Sequence, residues 1–559
     1  MFSGFIKLFK SFSGKEYIIF FAAFLVFFVS ASLWVVEFIN QKTTLAAIAG
    51  GNYIEGLAGQ PSFINPILAV NDIDRDLSEL IFSDLADLAE SYKPDKDGKI
   101  WRYRLKDGVK WHNGKEITSD DIIFTIETVQ NQDVRSSLFQ NWQGVAVERI
   151  SEREIELKLP TPYVFFKSAL ESLRPIPKHI FSDIPASNLR LSNYNLEPIG
   201  SGPYKFLNLK KRNDGYIISY NLEINDDYFA DKPYIKKISF AFYNNEADII
   251  DAFNSGEIHG FGLLNYENLS KVIFPHQVIP LKMLKYYAIF LNNYSHLSLK
   301  EKNVRLALNL AINKQAIIEK VFDGQADIAN SPLVDGIKGF DNSLAGGIIN
   351  LPIGGEKANQ ILDNSGWLIN KENIREKKIG KDLIKLEFIL TVPDAQPLIE
   401  TAKLIKNDWE KIGVKADISI VSLSEINSQL IKSRDYQMLL FGNILGEAPD
   451  LYSFWHSSEK FYPGLNLALY ENKTADRLIE SIRNNFDNDK RNRDLSALQS
   501  IIIDDQPAIF IYSPKYIYIA KKTLSGFDSI GEQEKFISFS SDRFKNVQKW
   551  YVKTARMFK

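Results

Sequence analysis

The pattern of hydrophobic and polar positions changes character several times along the chain. Its first long stretch has no period at all: Tyr17–Val36, YIIFFAAFLVFFVSASLWVV, runs for twenty residues without a formal charge. At about 1.5 Å per residue such a helix spans roughly 30 Å, the thickness of a bilayer's hydrocarbon core. Lys7, Lys10 and Lys15 precede it. The positive-inside rule therefore keeps the N-terminus in the cytoplasm and exports everything after Glu37. A cleaved signal peptide is the competing reading, since Val29-Ser30-Ala31 offers a small-residue cleavage site. The apolar run continues through Leu33-Trp34-Val35-Val36, which a signal peptide does not require, and this favours a retained anchor. No second run of this kind follows, so the chain by itself is no channel or permease.

Residues 40–52 (NQKTTLAAIAGGN) read as a linker between membrane and body. Within Asp72–Leu88, apolar residues at 77, 80, 81, 85 and 88 are spaced by threes and fours, which predicts one amphipathic helix. Trp101, Tyr103 and Leu105 alternate with Arg102, Arg104 and Lys106 as a half-buried strand. The turn dipeptides Asp107-Gly108 and Asn113-Gly114 follow. Thr118-Ser119-Asp120-Asp121 then fits a capping box ahead of a helix. Pro198-Ile-Gly-Ser-Gly-Pro203 is a rigid turn cluster where the chain can change domain, and Glu246–Phe253 reads as a short helix stopped by Asn254-Ser255-Gly256.

The second half reads differently. Leu386, Phe388, Leu390 and Val392 alternate as a strand, and Leu398, Ala402, Ile405, Trp409 and Ile412 follow at helical spacing, with Gly413 in the C′ position. Val414–Ile420, a helix from about Ser424 to Ile431 and the strand Tyr436–Phe441 complete β-α-β-α-β, the signature of an α/β domain. Such units carry their functional loops at the carboxyl ends of strands, which places the loop Gly442–Asp450 against a ligand.

Composition narrows the function. The 559 residues suggest three to four domains at roughly 150 residues each, and 45% apolar with 24% charged residues is a globular mixture. A net charge of −2 gives no sign of nucleic-acid binding. Having no cysteine excludes disulfides, thiolate metal sites, a Cys nucleophile and lipid attachment to an N-terminal Cys. The six histidines (112, 179, 259, 276, 296 and 456) never stand three or four residues apart, and His112 reads as a strand-end residue. Phosphate-cradling glycine loops and a nucleophile elbow are absent, and Asp120/Asp121 and Asp504/Asp505 are neighbours that cannot face each other on a helix. No credible catalytic set emerges.

Five stretches, in chain order, carry a likeness: GQPSFINPI (59–67), WRYRLKDGVKWHNGKEITSDDIIFTI (101–126), PIGSGPYKF (198–206), VRLALNLAINKQAIIEKVFDGQA (304–326) and DYQMLLFGNILGEAPDLYSFWHS (435–457). Together they resemble the extracytoplasmic solute-binding proteins of ABC importers, family 5, which include the dipeptide-, oligopeptide- and nickel-binding proteins. The resemblance covers about residues 50–530.

It implies an α/β, two-lobed periplasmic-binding-protein type II fold with an extra sub-domain, three sub-domains in all, closing on a ligand by hinge motion. One N-terminal transmembrane helix would precede it. The implied division is 1–16 cytoplasmic, 17–39 anchor, 40–52 linker, 50–90 with 195–265 and 506–540 as lobe I, 91–194 as the extra sub-domain, and 266–505 as lobe II. The implied function is capture of a peptide or other small polar solute outside the membrane and delivery to a permease. Partners would be ABC permease and ATPase subunits, with a monomeric body on the outer face of the cell membrane, no nucleic acid, no cofactor, no metal and no catalysis. A tether would hold the receptor at high effective concentration beside its permease.

The resemblance carries site residues over in part. Gln60, Pro61 and Ser62 match the extended segment where family members contact ligand backbone. In peptide binders the loop matched by Gly442–Asp450 supplies an aspartate to the ligand's α-amino group. Here that place falls near Leu445-Gly446, and the loop is one residue shorter than the dipeptide-binding pattern. Glu447 is the nearest carboxylate, Asp450 matches a different family acid, and Asn443 and Gly446 share the loop. Tyr512 or Ser513 matches an aromatic near the cleft. The departure at this loop leaves both a peptide and another polar solute open. Two readings of other classes compete: a ligand-sensing ectodomain, for which only about 16 residues stand ahead of the apolar run as an output module, and an exported hydrolase, for which no nucleophile or metal motif exists.

Overall fold

A computed structural model describes residues 12–337, 339–341, 343–344, 355–446, 448, 450–527 and 536–558. A 29-residue helix, Gly14–Lys42, opens it with none of its residues buried. A capping box of Ser13 and Glu16 starts this helix. Strand β1 (Thr43–Ala47) follows without a break, and Gly50 and Gly51, both at positive φ, turn the chain into β2 (Asn52–Ala58). Residues 40–52, expected as a linker, are thus helix end, strand and turn. The reason is a partner more than 500 residues away: β1 pairs antiparallel with a late strand, Thr554–Phe558.

The predicted helix Asp72–Leu88 is two helices, Asp72–Ile81 and Leu85–Leu88. The break is tertiary. Ser201 and Gly202 donate their N–H groups to the Ile81 carbonyl, the Ser83 N–H donates to Ser201 Oγ, and Asp84 caps the second helix. A separate four-stranded sheet comes next: β3 (Ala89–Pro94), β4 (Ile100–Leu105), β5 (Ala146–Ser151) and β6 (Glu154–Lys158), in the order β3-β4-β6-β5. The helix Ser119–Gln130 begins with the predicted Thr118/Asp121 capping box. His112 is scaffold: its ring accepts the Gly200 N–H at 3.2 Å and bonds the Gly202 carbonyl at 3.1 Å, and burial lowers its pKa to about 4.

The chain then returns to the first lobe through β7 (Tyr204–Lys211), β8 (Ile217–Ile224), β9 (Lys237–Tyr243) and β10 (Gly260–Leu263). Strands β11 (His276–Met283) and β12 (Lys285–Leu291) lead into the second lobe. After β13 (Ala326–Ile328), a small sheet of β14 (Leu368–Ile369), β15 (Arg375–Ile379) and β16 (Asp382–Lys385) precedes the α/β unit. That unit is β17 (Glu387–Pro393), helix Gln396–Glu410, β18 (Lys415–Val421), a helical turn region over 423–433, and β19 (Met438–Ile444). Both β18 and β19 run parallel to β17, as the β-α-β-α-β pattern predicts. The long β20 (Ala508–Lys521), the short β21 (Phe536–Ile537) and β22 (Thr554–Phe558) end the described chain.

One sheet runs through both lobes in the order β18-β17-β19-β12-β20-β10-β2-β9-β8-β7. Its second-lobe half is covered on both faces, by clusters around Leu308, Leu390 and Trp409 on one side and Phe290, Trp455 and Phe510 on the other. The first lobe shares a core with the four-stranded unit through Tyr53, Leu80, Trp101 and Phe240.

Candidate interlobe binding site

Strand register locates the site. In the first lobe β2 is parallel to β9 and β10, and its last residue Ala58 pairs with Tyr243, so their carboxyl ends lie together. Leu263, at the carboxyl end of β10, pairs with Ile517 of β20, whereas Gly260 pairs with Ala520, which is farther from the second lobe. In that lobe Ile444, the carboxyl end of β19, pairs with Lys285, and Met438 pairs with the distant Leu291. Both groups of parallel strands therefore turn their carboxyl ends toward one junction, Met283–Lys285 on β11/β12 and Ser513–Lys515 on β20. Ligands of open α/β sheets bind outside carboxyl strand ends.

Two strands cross this junction, and they pair with each other on both sides of it. Residues 276–282 pair with 521–515, and Tyr287–Phe290 pair with Tyr512–Ala508, with a register shift between Tyr287 and Ala288. The Ser513 hydroxyl donates to the Met283 carbonyl at 3.0 Å, the Leu284 N–H to the Ile537 carbonyl at 2.7 Å, and the Leu445 N–H to the Leu284 carbonyl at 2.8 Å. Two crossing strands with a register break have hinge geometry. Three lysines stand at the junction, two of them paired with carboxylates: Lys282 reaches Asp335 at 2.5 Å, Lys515 reaches Asp327 at 3.4 Å, and Lys285 lies over the Tyr287 ring at 5.5 Å.

The residues named from sequence divide into groups. Gln60, Pro61 and Ser62 follow β2 directly at its carboxyl end. Gln60 and Ser62 are exposed and Pro61 is buried. Gln60 Oε1 accepts the Ile217 N–H at 2.8 Å, and the Ser62 N–H donates to Asp74 at 2.7 Å, which ties the segment to β8 and to the helix Asp72–Ile81. Asn443 is buried and donates to the Tyr286 hydroxyl, while Gly446 holds φ +68 and a Cβ there would sit 4.0 Å from Ser538 Oγ. Glu447 lies outside the described residues. Tyr512 is 1% exposed, packed in the second-lobe core on Phe322 (ring centroids 4.4 Å apart) and Tyr287. Ser513 sits at the junction itself.

Asp450 is engaged elsewhere. Its carboxylate accepts the Tyr163 hydroxyl at 2.9 Å and the Tyr452 N–H at 3.1 Å, and Arg483 Nε lies 3.1 Å away. The Arg483 guanidinium is stacked over Tyr163 and Tyr452 at 5.0 and 4.3 Å, and its carbonyl accepts the Val164 N–H. Burial and the adjacent Asp450 push the Tyr163 pKa up, keeping its hydroxyl a donor. This cluster joins the segment after the four-stranded sheet to the second lobe. Phe486 adds to it, since its ring fills the space a Cβ on Gly98 would need.

Sequence reasoning missed the loop after β10. Buried Glu246 accepts the N–H groups of Leu264 and Asn265 and the amides of Asn265 and Asn268. Its only sequence signal is an acid in the first turn of a short helix. Beneath the first-lobe edge, fully buried Arg543 bonds both oxygens of Asp76 (2.9 and 2.6 Å) and one of Glu55 (2.8 Å), whose other oxygen accepts from Tyr518. Burial raises Asp76 to about 7 even beside this guanidinium. Among the described residues no group of three or more His, Asp or Glu is placed to hold a metal.

Comparison with known proteins agrees with this architecture. Residues 85–462 match the family described as bacterial extracellular solute-binding proteins, family 5 Middle. The oligopeptide-binding protein AppA of Bacillus subtilis (strain 168) is 27% identical over 520 residues, 90% of this chain and 92% of the relative. The solved structure of AppA from Bacillus subtilis in complex with a nonapeptide superposes with a TM-score of 0.70 at 26% identity, covering 91% of this chain and 100% of that one. NikZ from Campylobacter jejuni, solved with Ni(L-His), shares the fold with a TM-score of 0.70 at 23% identity over 89% of this chain and 99% of that one.

Proposed function

This chain belongs to the bacterial extracellular solute-binding proteins of family 5, and on that premise we propose that it captures a peptide between its lobes and hands it to an ABC permease driven by an ATPase. A relative named for oligopeptide binding along nearly the whole chain supports the peptide class. The observation that carries the site is the convergence of both sets of carboxyl strand ends on residues 283–285 and 513–515. A peptide there meets main-chain-rich edges: the Gln60-Pro61-Ser62 segment from one lobe, and from the other the end of β19 with the turn after it, Asn443–Gly446. Its backbone pairs with such edges as an added strand does. Glu447 remains our candidate for the ligand's amino group, and Ser513 for a contact at the hinge. Asp450 and Tyr512 act by holding the lobes and the hinge core, not by touching solute. The protein binds without breaking bonds, as a monomer, with the lobes divided as 50–90, 195–265 and 506–540 against 266–505, and 91–194 as the extra sub-domain.

We read the helix Gly14–Lys42 as a single-pass anchor that keeps the body outside the cell. At about 1.5 Å per residue its 29 residues reach roughly 43 Å, enough for a bilayer with its headgroups. Mass spectrometry of material released on denaturing the purified full chain tests the ligand class. Intact peptides in stoichiometric amount are expected. A recovered non-peptide solute, or cleaved fragments of an added peptide, overturns the reading.

A further inference from the structure

The β1–β22 ribbon has no role in the site, yet it carries some of the most exposed apolar side chains of the body: Leu45 is 67% exposed, Met557 54% and Phe558 81%. Its position in the chain says what covers them. Thr43, the first residue of β1, is also the cap of the helix Gly14–Lys42, with its N–H and hydroxyl both bonded to the Ile39 carbonyl. No spacer stands between helix and ribbon. If Tyr17–Val36 fills the hydrocarbon core, Thr43 lies only about 10 Å beyond it, a few Å outside a headgroup layer about 5–8 Å thick and within reach of a long side chain. Register then sets which end of the ribbon is lowest. Thr43 pairs with Phe558 and Thr44 with Met557, whereas Ala47 pairs with Thr554 at the far end. The two most membrane-proximal residues of β22 are therefore an exposed phenylalanine and an exposed methionine. Lys42 and Arg556 lie beside them, the latter donating to Thr43 Oγ1 at 3.2 Å.

We propose that this ribbon is a membrane-seated foot: Phe558 and Met557 at its lower end reach back into the outer headgroup region, Leu45 stands just above them, and Lys42 and Arg556 face lipid phosphates. Amphipathic segments seat in this way about 5–10 Å into the headgroup and acyl boundary. The foot is coupled tightly to the body. Ile48 donates to the Lys553 carbonyl and Gly50 to that of Tyr234, so only residues 48–51 separate ribbon from β2. Lobe I is thereby held at a defined height and tilt instead of swinging on a free tether. The proposal rests on reading the N-terminal helix as membrane-spanning.

The absence of native cysteine makes a direct test simple. Phe27→Cys, Leu45→Cys, Phe558→Cys and Leu191→Cys are made singly in the full chain and labelled with an environment-sensitive fluorophore. Each is reconstituted in vesicles of phosphatidylcholine and phosphatidylglycerol with and without nitroxide-bearing lipid. Quenching of the labels at 27 and 558, weaker at 45, with that at exposed Leu191 unquenched, is the expected result. Quenching at 27 without quenching at 558 overturns the foot and leaves the anchor standing. No quenching at 27 removes the anchor reading and the foot with it.

Discussion

Replacing Arg483 by alanine should loosen the contact between the two sides of the cleft without unfolding either. Its guanidinium is 3.1 Å from Asp450, lies over Tyr163 at 5.0 Å, and is about one-third exposed. The ion pair with Asp450 lies within the second lobe and is not broken when the cleft opens. A cation–π contact at such a site adds about 0.5–1 kcal/mol. The hydrogen bond between Tyr163 and Asp450 survives the substitution, as does the main-chain bond from Val164. The expected loss across the cleft is therefore that of the Tyr163 contact alone, about 0.5–1 kcal/mol, which moves the closed-to-open ratio roughly 2- to 5-fold. The assay is single-molecule energy transfer between dyes at Leu191→Cys and Leu383→Cys, both exposed sites on opposite sides of the contact. With R483A the long-distance population should grow, and release of a bound peptide should quicken by a similar factor. R477A, which loses a local bond to Thr474, should change neither. Tyr163→Phe combined with R483A should cost less than the sum of the two. Unchanged distance distributions in both peptide-free and peptide-saturated R483A would refute the reasoning.

Gly202→Ala should destabilise by about 1–3 kcal/mol, because its Cβ would stand 2.6 Å from backbone atoms of Leu80 and Ile81; an unchanged melting curve would show that this turn yields freely. Lys314, buried and donating to the side-chain amide oxygen of Asn330 at 2.7 Å, has its pKa lowered by burial to about 7. Between pH 7 and about 10 the unfolded chain holds a proton that the folded one lacks, so stability rises with pH across that window and is flat below it. Lys314→Met should abolish this slope and stabilise the protein at pH 6, read by urea titration at several pH values. Arg543→Met leaves Asp76 and Glu55 buried without a cation and should cost about 3–5 kcal/mol at pH 7.5. The deficit should shrink toward pH 5 as a carboxylate takes up a proton, and a deficit independent of pH would contradict that origin.

What the sequence makes legible is whatever rests on local period and local caps. The β-α-β-α-β order of the second lobe, its Gly413 stop at φ +75 and the Thr118/Asp121 capping box stand where the pattern puts them, but the last strand runs to Ile444 and takes Gly442, Asn443 and Ile444 out of the expected loop 442–450 by pairing with Tyr287–Lys285. What stays hidden depends on partners remote in the chain. The helix at Asp72 breaks because Ser201 and Gly202 claim the Ile81 carbonyl, and residues 43–47 become a strand because residues 554–558 pair with them. Asp450 reads as a loop acid open to ligand until Tyr163 and Arg483, one of them nearly 300 residues upstream, are seen to occupy it. The site itself is a property of the sheet order. No residue pattern announces that β20 serves both lobes, pairing with β12 at one end and with β10 and β11 at the other.

Hydrogen exchange of the full chain with and without a bound oligopeptide tests the central claim most directly. Slowed exchange is expected at Gly59–Phe63, Met283–Lys285, Asn443–Gly446 and Ser513–Lys515 together, with the peptide recovered whole afterwards. Protection confined to one lobe, or a peptide returned in pieces, would contradict it.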